Sequence, residues 1–183
     1  MFDLIKYMKA VAENLPEVGH DDNDPEKKRF HRATGIAQIE ELLNSNTEGF
    51  NIVAIDSIDS RFMDTGSNTL DEPFFTFMVL KNCTHNDFDA VHQAKIDCKK
   101  IVQKIRAKML YDRANMQNGL EELRTRNISI FTVGPMADYF FGAAMNFTLY
   151  EQANTCHNPD EWTNDFTGIN PSAWTTEQNE QNS

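Results

Sequence analysis

One segment limits what this chain can fold into more than any other: NDFDAVHQAKIDCKKIVQKIRAKMLYDR, from Asn86 to Arg113. Val91, Ala94, Cys98, Ile101, Ile105 and Met109 recur at steps of three and four, which puts them on one face of an α-helix. Asp87 and Asp89 stand in the first turn and Arg113 in the last, matching the helix dipole at both ends, and Asn86 reads as the N-cap. A helix this long with a single apolar stripe must lie on something flat. Lys95, Lys99, Lys100, Lys104, Arg106 and Lys108 fall around its other sides.

Charge decides how that basic face is read. The chain carries 17 Lys and Arg against 28 Asp and Glu, a net charge of -11, and from Asn127 to Ser183 there is no Lys or Arg. A protein that coats nucleic acid needs the opposite sign to release counterions from phosphates. Base readers also interleave aromatic or amide side chains, and only Gln103 qualifies on this helix. Asp97 and Asp112 partly balance the lysines. The face is therefore expected to be solvated or to contact another subunit, through Lys95, Lys99 and Lys104.

Strand-like runs flank the helix. Phe50–Ile55 is rich in β-branched residues, and Pro73–Leu80 is apolar on both faces, as a central strand would be. Between them, SIDSRFMDTGSNTLDE holds Asp56, Asp59, Asp64, Asp71 and Glu72 around a turn-prone tip, and reads as a long acidic hairpin arm or loop. Beyond the helix stop at Asn118–Gly119 come Ile128–Val133, a break at Gly134–Pro135, and an alternating strand within Gly142–Tyr150. In that strand Ala143, Met145, Phe147 and Leu149 point one way, and Ala144, Asn146 and Thr148 the other.

Upstream, Phe2, Ile5, Met8 and Ala12 mark a first helix that Pro16 ends. Asp24–Pro25 reads as an N-cap and first helical position, and Gly35 separates that element from a helical run at Ile36, Ile39, Leu42 and Leu43. The expected fold class is α+β: an antiparallel or mixed sheet of about four strands, with the long helix across one face. Residues 1–151 form this single domain. Residues 152–183, polar and acidic with isolated Trp162, Phe166 and Trp174, read as an extended tail whose aromatics are anchor-like.

No apolar run is long enough to span a bilayer, and the N-terminus lacks a signal-peptide pattern. Three cysteines do not make a disulfide framework, which points to a reducing cytoplasm. Cys83, His85, His92 and Cys98, with Cys156–His157 far along the chain, lack the paired spacing of a zinc site. His20 with Asp21, Asp22 and Asp24 offers hard-cation ligands, yet without the loop glycine and distal glutamate of an EF-hand it reads as a solvated turn. No phosphate loop, G-x-S-x-G or H-E-x-x-H occurs, so neither a catalytic centre, a metal nor a cofactor is expected. The rival class is a metal-dependent or nucleic-acid-processing enzyme using His20, Asp21, Asp22 and the histidines at 85–92. A third is an adaptor that binds a partner through its tail.

The order helix, PEVGHDDNDPEKKRFHR, FNIVAID, PFFTFMVL and amphipathic helix resembles the tail-terminator and head-to-tail connector proteins of tailed bacteriophages. The ending VGPMADYFFGAAMNFTLYE adds to the likeness through Gly134, Pro135, Asp138, Gly142 and the strand Ala143–Leu149. The resemblance spans about residues 1–151 by order of elements. It implies a homo-oligomeric ring in the virion neck or tail, six-fold or twelve-fold, made in the host bacterial cytoplasm and joined to other neck, portal and tail proteins. Double-stranded DNA would pass through without specific binding, and no membrane would be involved. In such a ring the acids of the arm would face the channel and repel phosphates. Lys95, Lys99, Lys104, Asn146, Thr148, Trp162, Phe166 and Trp174 would meet neighbouring subunits.

Overall fold

The computed structural model describes residues 2–43, 49–57, 59–64, 69–84, 86–137 and 139–153. Residues 1–153 form one unit. The tail aromatics Trp162, Phe166 and Trp174 lie outside the described residues, as do His85, Asp138, Cys156 and His157.

Helix α1 (Leu4–Asn14) opens the chain, with the Asp3 side chain accepting the Lys6 N–H at its N-terminus. After Pro16 the chain reverses through a short 3-10 turn at Pro25–Lys27 and enters strand β1 (Phe30–Ala33). Helix α2 (Ile36–Leu43) then carries it to β2 (Phe50–Ile55), which lies parallel to β1. Parallel neighbours need such a crossover. Strand β3 (Ser60–Asp64) follows, then the long β4 (Thr69–Asn82), α3 (Phe88–Ala114), β5 (Ser129–Met136), β6 (Phe140–Thr148) and the short β7 (Glu151–Gln152).

The sheet is mixed, one of the two forms expected. Its main path has five strands in the order β1-β2-β4-β6-β5, and β3 and β7 both pair with β4. The expected strand at 73–80 is indeed central, but it begins four residues earlier, at Thr69. β1, β3 and β7 add to the four strands expected. The cap of α3 is Asp87, whose carboxylate accepts the Ala90 N–H, rather than Asn86.

Strand alternation divides the core into two layers. Ile52, Ala54, Phe77, Val79, Ala143, Met145 and Phe147 point to the face covered by α1 and α3, where Met8, Ala12, Cys98, Ile101, Ile105 and Met109 meet them. Each large apolar side chain buried there contributes about 1.5–3 kcal/mol, so the predicted stripe of α3 is the main floor of the fold. Val53, Met78, Leu80 and Ala144 point to the opposite face, where Ile39 and Leu43 of α2 cover them.

Two glycines of the expected terminal motif have steric reasons. At Gly142 an added Cβ would stand 1.9 Å from the Val79 carbonyl oxygen, so only glycine lets β6 lie this close to β4. Gly134, at φ +112°, sits where the β5–β6 register shifts between Val133 and Met136.

Candidate functional site

The element expected to carry function, residues 56–72, is a hairpin arm. β2 and β3 run in succession along one edge of β4, their registers offset across residues 56–59. On the other edge β7 continues β6 against β4 in a single register, from Asn82↔Phe140 to Leu70↔Gln152. Pro73 brings no N–H to this ladder. Beside it, at Leu149 and Tyr150, the chain is held by the segment 122–124: Tyr150 N–H donates to Glu122 C=O, and Arg124 N–H donates to Thr148 C=O. The arm therefore extends the sheet as three strands, β3-β4-β7.

A buried carboxylate ties the arm to the body. Glu72 is wholly buried; its Oε2 accepts from Arg61 Nη2 at 2.5 Å. Its Oε1 accepts from Asn127 Nδ2 at 2.6 Å and from Thr148 Oγ1 at 3.0 Å. Burial pushes the Glu72 carboxyl up, but the hydrogen bonds from Arg61, Thr148 and Asn127 and the Arg61 charge outweigh it, leaving the carboxyl below its usual range. Two expectations are corrected here. Glu72 cannot face a channel, and Thr148, also buried, cannot meet a neighbour, because each satisfies the other inside the protein.

The remaining arm acids differ among themselves. Asp56 accepts from Arg32 Nε at 2.7 Å, so its charge is paired across to β1. Asp59 accepts from the Ser57 hydroxyl. Asp71 is half-buried opposite Phe62, and Asp64 closes β3 opposite Thr69. Phe62 is 64% exposed, an apolar group on the arm that sequence reading passed over. Arg61 lies over the Phe74 ring, 5.8 Å from its centroid.

Beyond α2, no element among the described residues covers the second sheet face. Phe74 is 40% exposed and Phe131, on edge strand β5, 44%. Between them Thr76 Oγ1 donates to Asn146 Oδ1 at 3.0 Å, and Asn146 is exposed. This half-polar, half-aromatic surface joins residues from three strands.

On α3 the lysines are not equivalent. Lys99 is exposed, whereas Lys95 lies over the Phe141 ring at 5.6 Å and Lys104 pairs with Glu17 of the same chain. Lys104 and Lys108 edge a groove of about 940 Å³ between α1 and α3, with Tyr7, Val11 and Leu15 on its other wall. Beneath it the buried Asp112 accepts from Tyr7 Oη at 2.8 Å and pairs with Lys108. Sequence reading also missed a smaller cleft of about 380 Å³ lined by Arg113, Arg124 and Arg126 with Tyr150. None of these three arginines is ion-paired among the described residues. Arg124 and Arg126 stand two residues apart in the turn before β5, and only folding brings them to Arg113 at the end of α3 and to Tyr150.

The cysteine–histidine set does not converge among the described residues. Cys98 is buried with its Sγ toward the Phe141 carbonyl at 3.8 Å, Cys83 is half-buried and His92 exposed. Of the acidic turn, Asp21 accepts from Asn23 and Asp24 caps the 3-10 turn and pairs with Lys27. His20 and Asp22 do come together, with Glu13 of α1 as an unforeseen third member.

No family model, curated protein or solved structure matches the chain. Among the described residues no helix is long and apolar enough to cross a membrane.

Proposed function

We propose that this chain is a structural subunit of a ring at a phage head–tail junction or tail end, without enzymatic activity. The observation that carries this reading is the arm: a three-stranded extension of the sheet, pinned at its base by a buried carboxylate, presenting Phe62 to solvent. An exposed aromatic on a two-edged arm favours a protein partner, because ring subunits bury such arms and edges against their neighbours. The open sheet face, with Phe74, Asn146 and Phe131, supplies an apolar and hydrogen-bonding receptor surface on the same molecule. A heterologous contact of arm to face closes into a ring of six or twelve copies. Of the helix lysines, Lys99 is the one left to meet a neighbour or an adjoining virion protein, Lys104 being held by Glu17. Asp59, Asp64 and Asp71 are the arm acids proposed to face a channel and keep passing DNA from sticking. The element-order resemblance to neck and tail-end proteins supports the same reading, and with it assembly in the host cytoplasm and a place in the virion.

The test is mass in two settings. Native mass spectrometry of the purified chain, and protein identification in purified virions of the source phage, are expected to give a closed oligomer and a stoichiometric particle component. A chain that stays monomeric at about 100 µM and is missing from particles ends the proposal. Phe62→Ser is expected to weaken assembly while leaving the monomer folded.

A further inference from the structure

The turn that follows α1 places three metal-type ligand atoms together. Glu13 lies in the last turn of α1, and the chain reverses at Pro16–Gly19 to bring His20 and Asp22 back against it. One ligand atom from each of Glu13, His20 and Asp22 lies within 4.8 Å of the others. The His20 side chain is only 2% exposed, yet its Nε2 has no hydrogen-bond partner. Nε2 stands 3.0 Å from Asp22 Oδ1 without the alignment of a hydrogen bond. Two atoms side by side at this spacing are placed as adjacent ligands of a third body are: with bonds of about 2.1 Å, neighbouring ligands lie roughly 3.0–3.4 Å apart.

Nδ1 of the same ring lies 3.2 Å from the Lys27 carbonyl and accepts the Arg29 N–H at 3.1 Å, so the ring proton stands on Nε2. A metal at Nε2 takes that proton's place; the ring's remaining N–H then falls on Nδ1, where the Lys27 carbonyl accepts it, and the Arg29 N–H gives up its bond. Glu13 also stands at the negative end of the α1 dipole, with no basic residue in that last turn. A cation there relieves both the carboxylates and the helix terminus. The group now serving them is the Lys9 ammonium, which pairs with Asp22 Oδ2 and leaves Oδ1 to the His20 side.

We propose that Glu13, His20 and Asp22 form a three-ligand site for a divalent first-row transition metal of the Zn²⁺ type, its remaining position open to water. One imidazole and two carboxylates suit Zn²⁺, whereas Mg²⁺ demands near-ideal octahedral oxygen and gives up its waters reluctantly. Bound metal ties the C-terminus of α1 to the turn that feeds edge strand β1.

The experiment is titration of the tag-free, chelator-treated full chain with Zn²⁺ and, separately, Mg²⁺, read by calorimetry and thermal unfolding. One Zn²⁺ per chain at micromolar affinity or tighter, with a rise in Tm, is expected, and no comparable Mg²⁺ effect. Glu13→Gln and Asp22→Asn, both at exposed side chains, are expected to weaken Zn²⁺ binding at least about tenfold, with circular dichroism unchanged. Lys9→Gln removes the competing cation and is expected to tighten binding several-fold, a gain that misfolding cannot imitate. Lack of stoichiometric Zn²⁺ binding overturns the site. So does binding that Glu13→Gln and Asp22→Asn leave unaltered, which would put the metal on other histidines or thiols.

Discussion

Removing the Glu72 carboxylate should loosen the arm before it unfolds the protein. In Glu72→Ala the Thr148 hydroxyl loses its acceptor, and Asn127 keeps only Thr148, at 3.1 Å. Leaving buried groups unpaired costs about 1–3 kcal/mol each. Arg61 adds little, since its side chain is 60% exposed and its freed charge returns to water. That places the change near the lower end of the roughly 3–5 kcal/mol typical when a buried pair is broken; about 2–4 kcal/mol is expected. Glu72→Gln retains an acceptor for Asn127 and Thr148 but turns an amide toward Arg61, and about 1–2 kcal/mol is expected. The carboxyl is held below its usual range in the fold, so its stabilisation is present above the unfolded value near about 4.3. It disappears as pH falls through the lower folded value. Urea titrations of wild type and Glu72→Gln should therefore show a stability gap at pH 7 that narrows toward pH 3, and hydrogen exchange should show faster opening of residues 60–64 and 69–72 at pH 7. A loss below about 0.5 kcal/mol in Glu72→Ala, or a gap independent of pH, would refute the reasoning.

Gly142→Ala is expected to destabilise by at least about 1–3 kcal/mol, because its Cβ meets the Val79 carbonyl oxygen and neither strand can shift without breaking the ladder; a Tm within error of wild type refutes this. Phe62→Ser should change monomer stability by no more than about 0.5 kcal/mol, since the ring is exposed, while sedimentation shows weaker association. Burial pushes the Cys98 thiol up to about 12, so thiol-reactive reagents followed by peptide mapping should leave Cys98 unmodified at pH 8 until denaturant is added; labelling in the native state would contradict its place under α3.

How legible these features were depended on the range of the interaction behind them. The α3 stripe is written in three- and four-residue steps, and every stripe residue from Ala94 to Met109 is buried where the period puts it. β1 was hidden, because Phe30–Ala33 is four residues of mixed polarity and becomes a strand through its parallel neighbour β2, twenty residues on. Pro73 read as a strand start, so the pairing of Thr69–Glu72 with β3 and β7 went unseen. Glu72 looked like one more acid in an acidic run; only Asn127 and Thr148, remote in sequence, make it an interior residue. The same holds for Glu13, which no turn-local motif would join to His20.

β6 and β7 keep one register along β4 on either side of the break at Leu149–Tyr150, and this has a mechanical consequence. Ala153 leaves the described chain beside Thr69, to which its N–H donates. Tension on Ala153 directed along the arm would thus load the Leu70↔Gln152 and Asp71↔Glu151 pairs and the contacts with residues 122–124 together, in shear, ahead of the β4–β6 pairs. The same tension directed across the arm would peel β7 away two residues at a time. Two ladders in one register therefore give the chain at Ala153 a strong axis and a weak one.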